Sequence, residues 1–289
     1  LKCFYHKVDF DGECSGAIVK RSYPQCEMIG INYGDEFPWD SIELDETIFM
    51  VDFGMQPFDD MVKLKEKCGK LIWIDHHSTA LNDLKESGVE FDGIQKEDKA
   101  GCELTWEYLN PDTPLPDSVY YLGRYDVWDL NANPNILSFQ YGMKQYEDTT
   151  PESNIWNEIL PSKSFKEYLN GKVNPNHLAK IIVDGNLILK YQKAENKKRC
   201  EAMSFETEFE GLKAIAMNMG MTSSQIFDSV YDENKYDIML PFSRKLGQWT
   251  VSIYTTKDNI HVGKIAKKYG GGGHKGAAGF QCSKLPFKA

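Results

Sequence analysis

A chain of 289 residues with a formal charge of −10 offers no broad basic face. Proteins that track long nucleic acids rely on such a face to neutralise phosphates, so a processive enzyme on polymers is disfavoured and a short or small phosphate ester fits better. Hydrophobic residues at 41% and charged residues at 26% are those of an ordinary globular protein, with length enough for two domains.

No apolar run approaches the roughly 20 residues that span a bilayer, and no basic-then-apolar leader opens the chain. The seven scattered cysteines include no C-x-x-C pair, which argues against a disulfide framework and a thiolate zinc site. Buried, inert thiols in a reducing cytoplasm are expected.

In chain order, Cys3–His6 reads as a strand, 15–22 as a helix, Met28–Asn32 and Ile48–Val51 as strands, 57–67 as a helix and Leu71–Ile74 as a strand. Pro57 followed by Asp59 and Asp60 suits a helix start, because Pro fits the first turn and acids favour the positive end of the dipole. Alternating strands and helices predict a parallel, doubly wound α/β sheet. Tyr120-Tyr121-Leu122-Gly123 is read as one more apolar strand, running into Arg124 and Asp126. Residues 100–109 read as a helix ended by Asn110-Pro111.

Seven prolines between 110 and 175 predict short helices and loops, pinned by aromatic residues such as Trp156, Phe165 and Tyr168. Asn174-Pro175 looks like a helix start, and the spacing of Leu178, Ile181, Ile182, Ile188 and Leu189 predicts a connector helix over about 175–203. The catalytic domain is thus expected over 1–190. A smaller mixed α/β substrate domain is expected over 204–289, closing over the crevice and limiting it to short substrates. Its strands are predicted at Phe205–Phe209, Leu212–Met217, Ile238–Phe242 and Trp249–Tyr254, with Thr222-Ser223-Ser224 as a helix cap before Ile226 and Phe227 and a second helix over 262–269.

The proposed strands end repeatedly in Asp or His. Parallel strands present their carboxyl ends to the ligand crevice of an open sheet, so His6, Asp9, Asp11, Asp52, His76 and Asp126 are expected to converge. Four carboxylates in one crevice repel one another unless cations hold them. Two divalent ions resolve this if one carboxylate bridges, and such a pair stabilises both attacking and leaving oxygens in phosphoryl transfer. Oxygen donors with imidazole suit Mn²⁺, with Mg²⁺ or Fe²⁺ as alternatives.

These motifs resemble the DHH phosphoesterase superfamily: His6-x-x-Asp9-x-Asp11-Gly12, the strand-end Asp52, Asp75-His76-His77 and the Asp126 segment stand in that superfamily's order. Gly270-Gly271-Gly272-Gly273-His274 resembles the substrate motif of the DHH-associated C-terminal domain. Tyr5–Gly16 and Trp249–Tyr254 look closest to the short oligoribonuclease and cyclic-nucleotide phosphodiesterase branch, the nano-RNase B type.

The resemblance implies one metal held by His6, Asp9 and Asp52, and a second by Asp11, Asp52, His76 and Asp126. A hydroxide activated by both attacks phosphorus, His77 binds the phosphate or protonates the leaving oxygen, and Asp75 orients an imidazole. It also makes a homodimer plausible.

Gly271, Gly272, Gly273 and His274 are expected to bind a phosphate or terminal nucleotide, since glycine amides can converge on an anion. Tyr254 stands where related domains carry Arg and offers a phenol for stacking or hydrogen bonding, but no charge. Arg124 either clamps a phosphate or pairs with Asp126 or Asp129. Trp106 and Trp128 read as core, Glu103 as surface, and His177 and His261 as exposed.

The expected activity is metal-dependent hydrolysis of short RNA, DNA or (cyclic) dinucleotides to nucleoside monophosphates. Competing readings are a cyclic mononucleotide phosphodiesterase, a 3′-phosphoadenosine phosphate phosphatase, a pyrophosphatase or polyphosphatase, and a nucleotide-sensing module that turns nothing over.

Overall fold

The computed structural model describes residues 1–160 and 175–289, so Phe165, Tyr168 and Asn174 lie outside the described residues. The chain divides into two units, Leu1–Leu189 and Lys190–Ala289.

In the first unit, β1 (Lys2–His6), β2 (Glu27–Ile31), β3 (Thr47–Val51), β4 (Lys70–Asp75) and β5 (Asp92–Gln95) form one sheet in the order β2-β1-β3-β4-β5. All its pairings are parallel. Strands covered on both faces need continuous apolar runs, and Cys3, Phe4, Ile48–Val51 and Leu71–Ile74 are all buried. The helices α1 (Phe10–Ser22), α2 (Asp59–Lys67), α3 (Ser78–Ser87), α4 (Gly101–Leu109), α5 (Asp117–Asp126), α6 (Asn135–Met143) and α7 (Ile155–Ile159) belong to the same unit. The sequence order reverses direction across the sheet between β1 and β3, which places the topological switch point of the fold at the ends of these two strands.

The helix α8 (Pro175–Met203) runs from the first unit into the second. The second unit contains a mixed sheet of β6 (Phe205–Phe209), β7 (Leu212–Asn218), β8 (Ile238–Lys245), β9 (Gln248–Tyr254), β10 (Gly272–Gly273) and β11 (Ala277–Cys282), in the order β10-β11-β9-β8-β7-β6. Only β7 and β8 pair in parallel. The helix α9 (Val262–Lys268) covers one face, where Val251, Ile253, Val262, Ala266 and Phe280 share a core. Ile226 and Phe227 of a short 3₁₀ turn cover the other, together with Met217 and Met239. The expected α/β class, a parallel sheet followed by a mixed one, is what the chain adopts.

Several readings of the sequence are corrected. Tyr120–Gly123 is not a strand but the middle of α5. A four-residue apolar run does not distinguish helix from strand by periodicity, and here Ser118, Val119, Tyr121 and Leu122 bury one helical face. Glu103 is 4% exposed rather than on the surface. Trp128 is exposed, in a left-handed conformation with φ 59° just past the end of α5, whereas Trp106 is buried as expected. His177 is half-buried, held by Tyr146 Oη at 2.9 Å and Glu158 at 2.8 Å. His261 is exposed and caps α9. Six of the seven cysteines are buried, and all seven are free thiols.

Candidate metal centre

The connections after β1, β3 and β4, at the carboxyl end of the parallel sheet, and the last turn of α5 bring the site together. His6 is the last residue of β1. Asp9 caps α1, accepting the Gly12 N–H at 2.9 Å, a bond that satisfies one of the free amides of a helix start. Asp11, in the first turn of α1, accepts the N–H groups of Gly101 and Cys102, each at 2.7 Å. These amides begin α4, so the carboxylate sits at the positive end of that helix.

Asp52 follows β3 with φ 54°, a left-handed conformation uncommon outside glycine, and its N–H donates to Ile74 O at 2.8 Å. Gly101 packs directly against it: a Cβ at Gly101 would lie 2.7 Å from Asp52 Oδ1. Asp75 ends β4 fully buried. Its Oδ1 accepts the His76 N–H at 2.8 Å, the His77 N–H at 3.2 Å and His77 Nδ1 at 2.7 Å.

Two groups of donors emerge. His6, Asp9 and Asp52 form one, with His6 Nδ1 3.0 Å from Asp9 Oδ2 and 3.6 Å from Asp52 Oδ2. Asp11, His76 and Asp126 form the other, with His76 Nε2 3.2 Å from Asp126 and 3.6 Å from Asp11. Asp52 touches both, because its Oδ1 is 3.2 Å from His76 Nε2. Asp52 with His76 and His77 is a third grouping at ligand distance. Thus the six side chains picked out from the sequence converge, although Asp126 arrives from the last turn of a helix rather than from a strand tip.

Burial and mutual repulsion shift the proton affinities of the cluster. Burial, and then the neighbouring Asp11, push the Asp52 carboxyl well above its ordinary range, and the same causes raise Asp126. Burial opposes an imidazolium at His6, but Asp52 and Asp9 outweigh it and push His6 up to about 10. His77 is raised to about 9 because Asp75 outweighs burial. Without added positive charge, these groups must hold protons in order to coexist.

Among the described residues, buried His6 Nδ1, Asp52 Oδ1 and His76 Nε2 find no hydrogen-bond partner, and buried polar atoms rarely go unpartnered. Divalent cations fit this need: unpartnered donor atoms, carboxylate oxygens and imidazoles in two groups that share one carboxylate.

Other expected residues lie elsewhere. Arg124 pairs with buried Glu103 through both Nε and Nη2, and with Asp129 at 3.7 Å. Asp129 was one of its two expected partners; Glu103 was not anticipated. Glu103 also accepts the Ala100 N–H at 3.0 Å, fixing the start of α4 whose next two amides hold Asp11.

The glycine motif lies in the second unit, where the N–H groups of Gly271 and His274 donate to Ala266 O and Ala277 O at 3.0 and 2.7 Å. These two amides are therefore committed within the fold. Tyr254 stands opposite Ala277 across β9 and β11 and is partly buried on the face that carries Ile226 and Phe227.

Asn32, 3.3 Å from His6 Nε2 through its Oδ1, was missed. It ends an apolar run just as the other site residues do, so the same signal could have found it.

Comparison with known proteins finds a family model that matches part of the second unit. Residues 216–287 match the DHHA1 domain. An uncharacterized protein of Acanthamoeba polyphaga mimivirus, R106, is 25% identical over 269 residues, 84% of this chain. The chain spans 56% of the length of that relative.

Among solved structures, an exopolyphosphatase-related protein from Bacteroides fragilis has a TM-score of 0.52 at 12% identity, covering 98% of this chain and 87% of that one. A pGpG-specific phosphodiesterase from Vibrio cholerae has a TM-score of 0.49 at 10% identity, covering 97% and 92%. The DHHA1 match is confined to residues 216–287, whereas the fold shared with the Bacteroides protein extends over nearly the whole chain.

Proposed function

We propose that the chain is a metal-dependent phosphodiesterase that hydrolyses short oligonucleotides or (cyclic) dinucleotides to nucleoside monophosphates. One observation carries the reading: two groups of carboxylates and imidazoles share Asp52, and three of their buried donor atoms have no hydrogen bond among the described residues. His6, Asp9 and Asp52 would hold one divalent cation, and Asp11, Asp52, His76 and Asp126 a second. Mn²⁺ matches this mixture of hard oxygens and imidazole. When bound, such a pair supplies positive charge for the attacking and leaving oxygens of phosphoryl transfer.

The chain's own groups do the rest. Asp11 is clamped by two amides, so its oxygens keep their direction without reorganisation. Asp75 takes the Nδ1 hydrogen of His77. That leaves proton transfer to the leaving oxygen as the task of Nε2, with Asp75 fixing the ring's orientation. In the second unit, Gly271–Gly273, His274 and Tyr254 are proposed to contact the substrate. The DHHA1 match and the net negative charge, which disfavours long polymers, support that choice of substrate class.

The deciding experiment assays pApA, cyclic AMP, 3′-phosphoadenosine phosphate and pyrophosphate with Mn²⁺, for the wild type and Asp52→Ala. Fast turnover of pApA that Asp52→Ala abolishes is expected. Turnover that persists in Asp52→Ala removes the two-metal site, and preference for pyrophosphate removes the nucleotide substrate.

A further inference from the structure

We infer that Asn32 sets the tautomer of His6 and so turns the Nδ1 lone pair toward a cation, which makes Asn32 a positioning residue of the metal centre. The inference rests on the metal-dependent reading above. Asn32 directly follows β2, whose last residue, Ile31, is in register with His6 of β1. Its Oδ1 lies 2.8 Å from the backbone nitrogen of Tyr33 and 3.3 Å from His6 Nε2. A backbone N–H only donates, so the atom facing Tyr33 is the side-chain oxygen and not the amino group. An oxygen of this kind only accepts, so the hydrogen in its second contact belongs to His6 Nε2.

A neutral imidazole carries one N–H, and with that hydrogen on Nε2 the lone pair is on Nδ1. Nδ1 is the nitrogen that faces Asp9 and Asp52, and it is buried without a hydrogen bond. Were the Asn32 amide turned over, Nε2 would become the acceptor, Nδ1 would carry the hydrogen, and a cation would meet an N–H.

The surrounding loop keeps the amide in place. The Asn32 N–H donates to Asp35 Oδ2 at 2.9 Å and the Asp35 N–H returns to Asn32 O at 3.1 Å. Lys7, the residue after His6, pairs with the same Asp35 oxygen at 2.6 Å and donates its N–H to Ile31 O. The rings of Tyr33 and Phe53 lie 4.7 Å apart, and each is 5.9 Å from the His6 ring. The imidazole is therefore bounded by two rings while Asn32 holds its outer nitrogen. A partner on the far ring nitrogen is the general means by which proteins orient a ligating histidine.

The test uses the whole protein with ¹⁵N-labelled histidine, loaded with diamagnetic Mg²⁺. ¹⁵N–¹H spectra should show His6 protonated at Nε2 and not at Nδ1, and a proton on Nδ1 overturns the inference. Calorimetry with Mn²⁺ then compares two variants. Asn32→Leu, which removes the acceptor, should bind roughly 10–100-fold more weakly. Asn32→Asp, which keeps an acceptor oxygen, should bind at least as tightly as the wild type.

Wild-type affinity in folded Asn32→Leu, or an Asn32→Asp as weak as Asn32→Leu, overturns the inference. Should Asn32→Leu fail to fold, the wild-type spectrum and Asn32→Asp decide. A wild type that binds no divalent cation removes the metal reading itself, an outcome separate from any failure of Asn32.

Discussion

Asp52 combines burial, a left-handed backbone and a like-charged neighbour, three costs that fold stability alone would select against. Their sum has a pH signature in metal-free protein. Asp52 and Asp126 hold protons above the ordinary carboxyl value of 3.8, where the unfolded chain has released them. Stability therefore falls as pH rises through that interval. His6, raised from 6.5 to about 10, contributes fully below pH 6.5 and loses that contribution as pH climbs to about 10. Both trends have one sign. In EDTA, urea midpoints should drop between about pH 5 and about pH 9, Mn²⁺ should flatten the slope, and Asp52→Asn should be the more stable protein at the alkaline end. A slope that Mn²⁺ and Asp52→Asn leave unchanged would refute this account.

Glu103 tests a different residue-scale claim. Its side chain is 4% exposed and that of Arg124 is 14%, so removing either leaves a buried charge behind. Glu103→Ala should cost about 3–5 kcal/mol in denaturant unfolding, far more than an exposed pair would.

At the scale of elements, the glycine run separates what folding needs from what a ligand needs. A Cβ at Gly271 would lie 2.1 Å from Gly279 O, and Gly273 has φ +136° with a Cβ only 2.5 Å from Ala278 Cα. The close approach of β10 to β11 demands glycine at both. Gly272 is different: a Cβ there meets nothing within 4 Å and its backbone is ordinary. Gly272→Ala should therefore unfold within about 0.5 kcal/mol of the wild type, yet raise KM for a dinucleotide if the run receives substrate. An unchanged KM would assign the whole run to architecture.

The same scale shows where periodicity stops working. The strands β1, β3 and β4 were legible because buried parallel strands must be apolar throughout. α5 was not, because its four central residues satisfy either element and only the neighbours that bury Val119 and Leu122 decide between them.

For the whole molecule, the two units have separate apolar cores: Trp73, Phe4 and Met50 belong to one of those in the first, Phe209, Val251 and Phe280 to one in the second. Every candidate ligand belongs to the first unit. Ligand binding stabilises only the structure that contains the site. Calorimetric unfolding should therefore resolve a transition that Mn²⁺ moves upward and another that it leaves in place; equal movement of all transitions would mean that the units unfold as one. Among the described residues no helix is long and apolar enough to cross a membrane.

Read alone, the sequence determined the α/β class, the strands that carry the site and the identities of the six converging side chains. It could do so because parallel strands deliver their ends to one crevice and because clustered carboxylates need a counter-charge. Only the tertiary structure decided that Asp126 comes from a helix, that Glu103 rather than Asp126 receives Arg124, and that Asn32 meets His6. Those pairings join residues 21 and 26 positions apart, across elements whose packing no local pattern encodes.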